Sequence, residues 1–160
     1  MQTVVYSPFY PRKCKRTWHF KNSVVWGVGS NEGASGAVLE RLWRWLSNNR
    51  MFSALHSSPL YINPPFGYKA QNDFYNATLS FTTRWSLNQL FGLLFYLERR
   101  FGRQRKRAFK NAPRTLDIDM IFYNRVVYKQ PHLSLPHPRW AKRPSVTLPL
   151  FLQALAWRQA

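Results

Sequence analysis

In the segment APRTLDIDMIF, Ala112 to Phe122, Asp117 and Asp119 stand two apart in an otherwise apolar run, and they are two of only six acidic residues in a chain of 160. Side chains alternate along a strand, so both carboxylates project to one face about 7 Å apart, while Leu116, Ile118 and Met120 turn to the other. Two carboxylates this close repel, and each is costly to bury alone, so something positive must neutralise them: an arginine or a metal ion. Mg²⁺ takes a couple of carboxylates and completes its shell with water and substrate phosphate, which suits such a ledge. A pair of exposed strand acids bonded to Arg114 would satisfy the same residues.

Eight of the 24 Lys and Arg fall between Arg99 and Arg114, so positive potential peaks just before the two aspartates. That run reads as a solvated helix end, an RNA patch, or a loop that closes on a polyphosphate, where arginine forks would grip the phosphate oxygens. His137 follows Pro136 in LPHPRWAKR; a lone histidine is most often structural. GVGSNEG invites a nucleotide-loop reading, but Glu32 stands where the dinucleotide fingerprint needs glycine, and the Gly-Lys-Ser/Thr ending of the Walker pattern is missing. Spacing alone makes it a turn into a helix.

The elements that must position these groups follow from periodicity. SVVWGVGSNEG reads as a first strand ending in a glycine loop. Val38, Leu39, Leu42, Trp43, Trp45 and Leu46 recur at helical steps, with Ser35 as the expected cap. Phe52 to Tyr61 is a second strand, and NPPFGYKAQN a long loop. In DFYNATLSFTT, Tyr75, Ala77, Leu79 and Phe81 alternate with mostly polar partners, giving a third strand. Ser86 and Gln89 form a capping box for a second helix, whose stripe runs from Leu87 to Phe101 and stops at Gly102. TLDIDMIF is the fourth strand; a hairpin-like stretch and a short helix from about Val146 to Trp157 follow. The order strand, helix, strand, strand, helix, strand predicts a ferredoxin-like α+β fold: one antiparallel sheet, helices on one face, and a ligand site on the other. Residues 1–22 form a basic N-terminal extension, and 23–160 a single domain.

A net charge of +18 must attract polyanions. Aromatics at 17% and apolar residues at 45% suffice for one core. Cys14 is the lone cysteine, so no internal disulfide framework exists. No apolar run reaches the roughly 18 residues of a membrane span, and neither a secretory nor a transit signal is recognisable, which predicts a cytoplasmic protein.

Taken in order, Gly29-Ser30-Asn31, NPPFG from Asn63 to Gly67, Phe74-Tyr75-Asn76, GRQR from Gly102 to Arg105, PRTLDIDMIF and LPHPRWAKR followed by LPL resemble the 6-hydroxymethyl-7,8-dihydropterin pyrophosphokinase family of the folate pathway. The resemblance covers roughly Val24 to Ala156. It implies that the hydroxymethyl oxygen of the pterin attacks the β-phosphorus of ATP, giving the pterin diphosphate and AMP. It further implies that Asp117 and Asp119 hold two Mg²⁺ ions, one across the α- and β-phosphates and one across the β- and γ-phosphates, with one also acidifying the attacking hydroxyl. By the same resemblance Arg103, Arg105 and Arg114 belong to a catalytic loop and its base, His137 and Arg143 to the triphosphate side, and Glu98 to the neighbourhood of ATP. Asn76 would bond the pterin edge, Phe74 would stack on its ring, and Pro64, Pro65, Phe66 and Gly67 would form a loop over it.

Three departures stand out. Asn111-Ala112 replaces the family's usual Trp-Gly, in a loop one residue longer. Ser145 stands where a second aromatic commonly faces the pterin, leaving Trp140 or another ring to substitute. The basic lead is additional. The implied partners are ATP and the reduced pterin, with no membrane or nucleic acid, and association with another folate enzyme is left open. The reading from a different class is a basic ferredoxin-like RNA-binding module without catalysis, which leaves the aspartates unexplained.

Overall fold

The computed structural model describes residues 1–16, 18–104, 106 and 109–158. Its strands are β1 (Thr3–Val5), β2 (Asn22–Ser30), β3 (Phe52–Ser57), β4 (Leu60–Asn63), β5 (Phe74–Thr83) and β6 (Asp117–Tyr123), with a separate hairpin of β7 (Tyr128–Gln130) and β8 (Leu133–Leu135). The helices are α1 (Ser35–Asn48), α2 (Leu87–Arg100) and α3 (Pro144–Arg158). The main sheet runs β1-β4-β5-β2-β6 with β3 also on β5, and every pairing is antiparallel. This is the ferredoxin-like α+β arrangement.

Alternation explains which face is core. Val24, Trp26 and Val28 of β2, Ala77, Leu79 and Phe81 of β5, and Ile118 and Met120 of β6 are all buried, together with Leu39, Leu42 and Leu46 of α1 and Leu90, Leu94 and Leu97 of α2. Burying a leucine is worth about 2 kcal/mol, so two such stripes suffice to seat both helices on one face of the sheet. The Ser86–Gln89 capping box is formed, and Gly102, at φ +93°, ends α2 where a left-handed backbone is needed.

Several local expectations change. Gly27 and Gly29 belong to β2 and not to a turn. The cap of α1 is Ala34, because Ser35 is already helical and its Oγ instead accepts from Ser30 Oγ at 3.0 Å. The stretch from Phe52 to Tyr61 is two strands, broken at Ser58-Pro59, where proline has no N–H for the ladder.

The basic lead is built into the sheet. Val4 pairs with Tyr61 in β1–β4, and residues 12–16 run along β3 through Ser57 N to Arg12 O (3.0 Å), Cys14 N to Leu55 O (2.8 Å) and Ala54 N to Arg16 O (3.1 Å). Tyr10 is 1% exposed and donates its hydroxyl to Leu39 O at 2.7 Å.

The second face of the sheet is partly covered by α3. Gln153, buried in the middle of that helix, accepts from Thr78 Oγ1 (2.7 Å) and donates to His56 O and Ser80 Oγ (both 2.9 Å). What stays open is the end of this face formed by β2 and β6. No described helix is long and apolar enough to cross a membrane.

Candidate active site

The open end of the sheet is where the acidic pair lies. In register, Gly29 of β2 stands between Asp117 of β6 and Asn76 of β5, and Gly27 stands between Asp119 and Thr78. With no side chain on Gly29, the floor between Asp117 and Asn76 is low, whereas over Gly27 the side chains of Ile121 and Val146 fill the space. A Cβ on Gly29 would meet Asn76 Oδ1 at 2.9 Å, so the close approach requires glycine there. Adjacent strands lie about 4.8 Å apart, which puts the backbones of Asp117 and Asn76 about 10 Å from each other.

The positive groups arrive from three directions. The left-handed turn at Gly102 folds the chain back so that Arg103 N donates to Glu98 O at 2.9 Å. Arg103 Nη1 then lies 2.5 Å from Glu98 Oε1 and 2.8 Å from Asp117 Oδ1. Arg114, three residues before the strand, reaches Asp117 Oδ2 at 2.5 Å through Nη1. Arg143, just ahead of α3, places Nη1 3.3 Å from Asp119 Oδ2. His137 is fixed by its N–H to Ile121 O at 3.0 Å, and its Nε2 is 3.9 Å from the same Asp119 oxygen. Each aspartate is therefore neutralised by arginine, and both oxygens of Asp117 are engaged.

These groups line one cleft of about 460 Å³. Its far wall is apolar and aromatic: Phe91, Leu94 and Phe95 of α2 face His132 and Leu133 of the hairpin, with the Phe91 and His132 rings 5.6 Å apart. The expected set Glu98, Arg103, Arg114, Asp117, Asp119, His137 and Arg143 thus converges, while Arg105 lies outside the described residues.

Burial is the main cause of the shifted titrations. Glu98 is pushed above the ordinary carboxylate range by burial, opposed by the Ile118 N–H at 2.9 Å and by Arg103. Asp119 is raised by burial and then by Asp117, against His137 and the arginines. His137 is lowered by burial, with Asp119 pulling the other way.

The remaining predicted residues lie across Gly29 from the carboxylates and do not line the cleft. Asn76 Nδ2 donates to Asn63 Oδ1 at 2.5 Å, which aims its amide. Phe74 is half-buried opposite Asn63 in the β4–β5 ladder. Pro64, Pro65, Phe66 and Gly67 form the loop after β4, with Phe66 68% exposed and Gly67 at φ +82°. Ser145 is the second residue of α3, and Trp140 packs edge-on against Phe122 at 5.0 Å.

Residues 25–154 match the family described as 7,8-dihydro-6-hydroxymethylpterin-pyrophosphokinase. The chain belongs to this family. Among its relatives, it is 48% identical over 159 residues to the 2-amino-4-hydroxy-6-hydroxymethyldihydropteridine pyrophosphokinase of Helicobacter pylori, covering 99% of this chain and 98% of that protein. Proteins of the same name from Campylobacter jejuni (37% over 144 residues, 90% of each chain) and Synechocystis (31% over 151 residues, 92% of this chain and 71% of the relative) are also similar. The matched stretch contains the whole cleft, whose lining runs from Phe91 to Arg143.

Two participants were given no role from the sequence. Asn31 is 1% exposed, and it accepts from Arg114 N at 2.9 Å through Oδ1. Phe95 falls outside the apolar stripe of α2 yet is a large aromatic, and that mismatch was the available signal for the cleft wall.

Proposed function

We propose that this chain transfers the pyrophosphoryl group of ATP to the hydroxymethyl group of 6-hydroxymethyl-7,8-dihydropterin, releasing AMP, as a step of folate synthesis in the cytoplasm. The observation that carries the reading is the row Asp117, Gly29, Asn76: a polyanion cleft on one side of a side-chain-free residue and a hydrogen-bonding amide on the other. Two substrates can meet above it.

The purine ring of ATP fits the aromatic wall of Phe91 and Phe95, and its phosphates meet Arg103, Arg114, His137 and Arg143. Arg105 belongs to the same loop and is assigned the same task. The pterin lies towards Asn76, which bonds its edge, with Phe74 against the ring and residues 64–67 above. The pterin oxygen attacks the β-phosphorus, the bond from that phosphorus to the oxygen bridging the α-phosphate breaks, AMP leaves with the electron pair, and the alcohol proton passes to solvent. Placement and charge neutralisation are most of what phosphoryl transfer asks of a protein.

The carboxylates fit Mg²⁺. Asp119 is held above the ordinary range by burial and by Asp117, so a cation beside the pair relieves both costs. Among the described residues no three His, Cys, Asp or Glu gather at one point, which leaves two carboxylates with phosphate and water as the donor set. When bound, two such ions would neutralise the triphosphate and acidify the attacking hydroxyl. Binding of phosphate would draw Arg103 and Arg114 off Asp117, freeing its oxygens for the metal as the nucleotide gains its clamps.

The test is AMP release from MgATP and the reduced pterin. Asp117→Asn and Asp119→Asn should each abolish it without shifting the melting temperature by more than a few degrees; turnover in both variants would overturn the metal role. An RNA-binding module would give no AMP and an RNA affinity falling steeply with salt.

A further inference from the structure

Between α1 and α2 runs an open groove of about 410 Å³. Its walls are Trp45 of α1, Leu93 and Tyr96 of α2, and Trp85 just ahead of α2. Trp45 and Trp85 both rest on the buried ring of Phe52, at 6.2 and 5.7 Å, and Trp45 meets Tyr96 at 6.5 Å. The flank of α2 that carries Phe91 and Phe95 lines the cleft instead, so the two hollows share a helix but no side chain.

Two observations set this groove apart from ordinary surface. Gly92 lines it from the interior of α2, where glycine is unfavourable relative to alanine. Apart from its chain neighbours and the helix backbone, a Cβ there would meet no atom within 4 Å, so the fold gains nothing from the gap. A notch with no internal purpose suits a side chain that arrives from outside. The second observation is charge. None of the six acidic residues lines the groove, yet exposed arginines stand at both of its ends. At one end Arg41 lies over Phe101 at 5.6 Å and Arg100 donates to Tyr96 Oη at 3.3 Å; at the other, Arg50 follows Asn49 and Arg84 precedes Trp85. Among the described residues, no ion pair engages any of the four.

We propose that this groove docks an acidic amphipathic helix of a partner protein. Its apolar face lies on Trp45, Trp85 and Tyr96, one apolar side chain fills the notch at Gly92, and its carboxylates meet the arginines at either end. Gln89 to Arg100 spans about 16 Å along α2, the rise of about three turns of a docked helix. A second copy of this chain is the poorer occupant, because each copy carries a net charge of +18 and would bring like charge to the rim.

The probe is a labelled synthetic helical peptide of about 14 residues, with leucine at every third or fourth position and glutamate elsewhere, titrated with the full chain by fluorescence anisotropy. It should bind with a Kd of about 100 μM or tighter, and the same peptide with lysine for glutamate at least about tenfold more weakly. Gly92→Leu fills the notch and should weaken binding about tenfold or more without lowering the melting temperature, because leucine is the better helix former. Tyr96→Glu, which places an acid in the groove, should weaken it to a similar degree. Changing Arg84 and Arg100 together to glutamine should flatten the salt dependence, whereas Lys129→Gln, a charge removed elsewhere, should leave Kd within about twofold. No binding at about 1 mM, or a Kd unmoved by both Gly92→Leu and Tyr96→Glu, overturns the proposal, the latter because net charge alone would then hold the peptide. Sedimentation showing a dimer that Gly92→Leu dissociates would give the groove to a second copy. A single-stranded oligonucleotide that displaces the peptide and weakens in the same variant would give it to nucleic acid. Either result overturns the acidic helix.

Discussion

Gly29→Ala isolates the pterin side of the site from the nucleotide side. The added Cβ would stand 2.9 Å from Asn76 Oδ1 and 3.7 Å from Tyr75 O, both nearer than any atom of Asp117. A carbon that close to an oxygen forces the Asn76 amide to move. That amide is already held at 2.5 Å by Asn63, so moving it breaks this bond or spoils the one intended for the pterin. A hydrogen bond is worth about 1 kcal/mol net, and an unpaired buried polar group costs about 1–3 kcal/mol. The expected loss in pterin affinity is therefore about tenfold, or about 1.4 kcal/mol. Titrating the pterin by fluorescence in the presence of a non-hydrolysable ATP analogue reads this directly, and the analogue's own affinity should hold. Gly27→Ala is the matched control, since its Cβ would first meet the tip of Ile121 at 3.3 Å and then Val146 at 3.7 Å. If pterin affinity in Gly29→Ala stays within about threefold of the unaltered chain, the assignment of Asn76 to the pterin is wrong.

Other outcomes concern stability. Tyr10→Ala removes a fully buried ring and its bond to Leu39 O, so urea unfolding should show a loss of about 3–5 kcal/mol; a lead that merely trailed from the domain would show none. Ser86→Ala removes the capping box of α2 and should cost about 1 kcal/mol in the same assay. His56, 3% exposed, has its pKa lowered to about 4 from 6.5 by burial and then by Lys13. The unfolded chain therefore takes up this proton first as pH falls. The stabilisation is complete above pH 6.5 and drains away towards pH 4, an effect of about 3 kcal/mol. Protonation also removes the Nδ1 lone pair that accepts from Trp157 Nε1 at 2.5 Å. Unfolding free energy measured across that interval should slope accordingly, and His56→Gln should flatten it.

The strand and helix order was legible because alternation and helical spacing are strong between Val24 and Met120. The acidic pair was legible from the same alternation: Leu116, Ile118 and Met120 are buried, and Asp117 and Asp119 face the cleft. What escaped lacks a periodic signal. Tyr10 is anchored from a stretch full of prolines and lysines, and no local pattern announces that it reaches Leu39. The glycines of β2 read as a turn because glycine weakens strands, whereas the reason for them lies across the sheet, at Asn76 and Ile121. Gln153 sits in an almost uncharged helix, and only the partners offered by Thr78, His56 and Ser80 explain a polar residue there. Long-range partners decide all three.

β6 is the outermost strand of its sheet, with Asp117 and Asp119 upon it. A bare rim of this kind is a template on which a stray chain can lengthen the ladder, and charged side chains are a common deterrent. Among the described residues this border is fastened by the backbone bond from His137 N to Ile121 O and by the Ile118 N–H on Glu98 Oε1. Two acids on that strand therefore put charge at the margin of the sheet, beside the role proposed for them in the cleft.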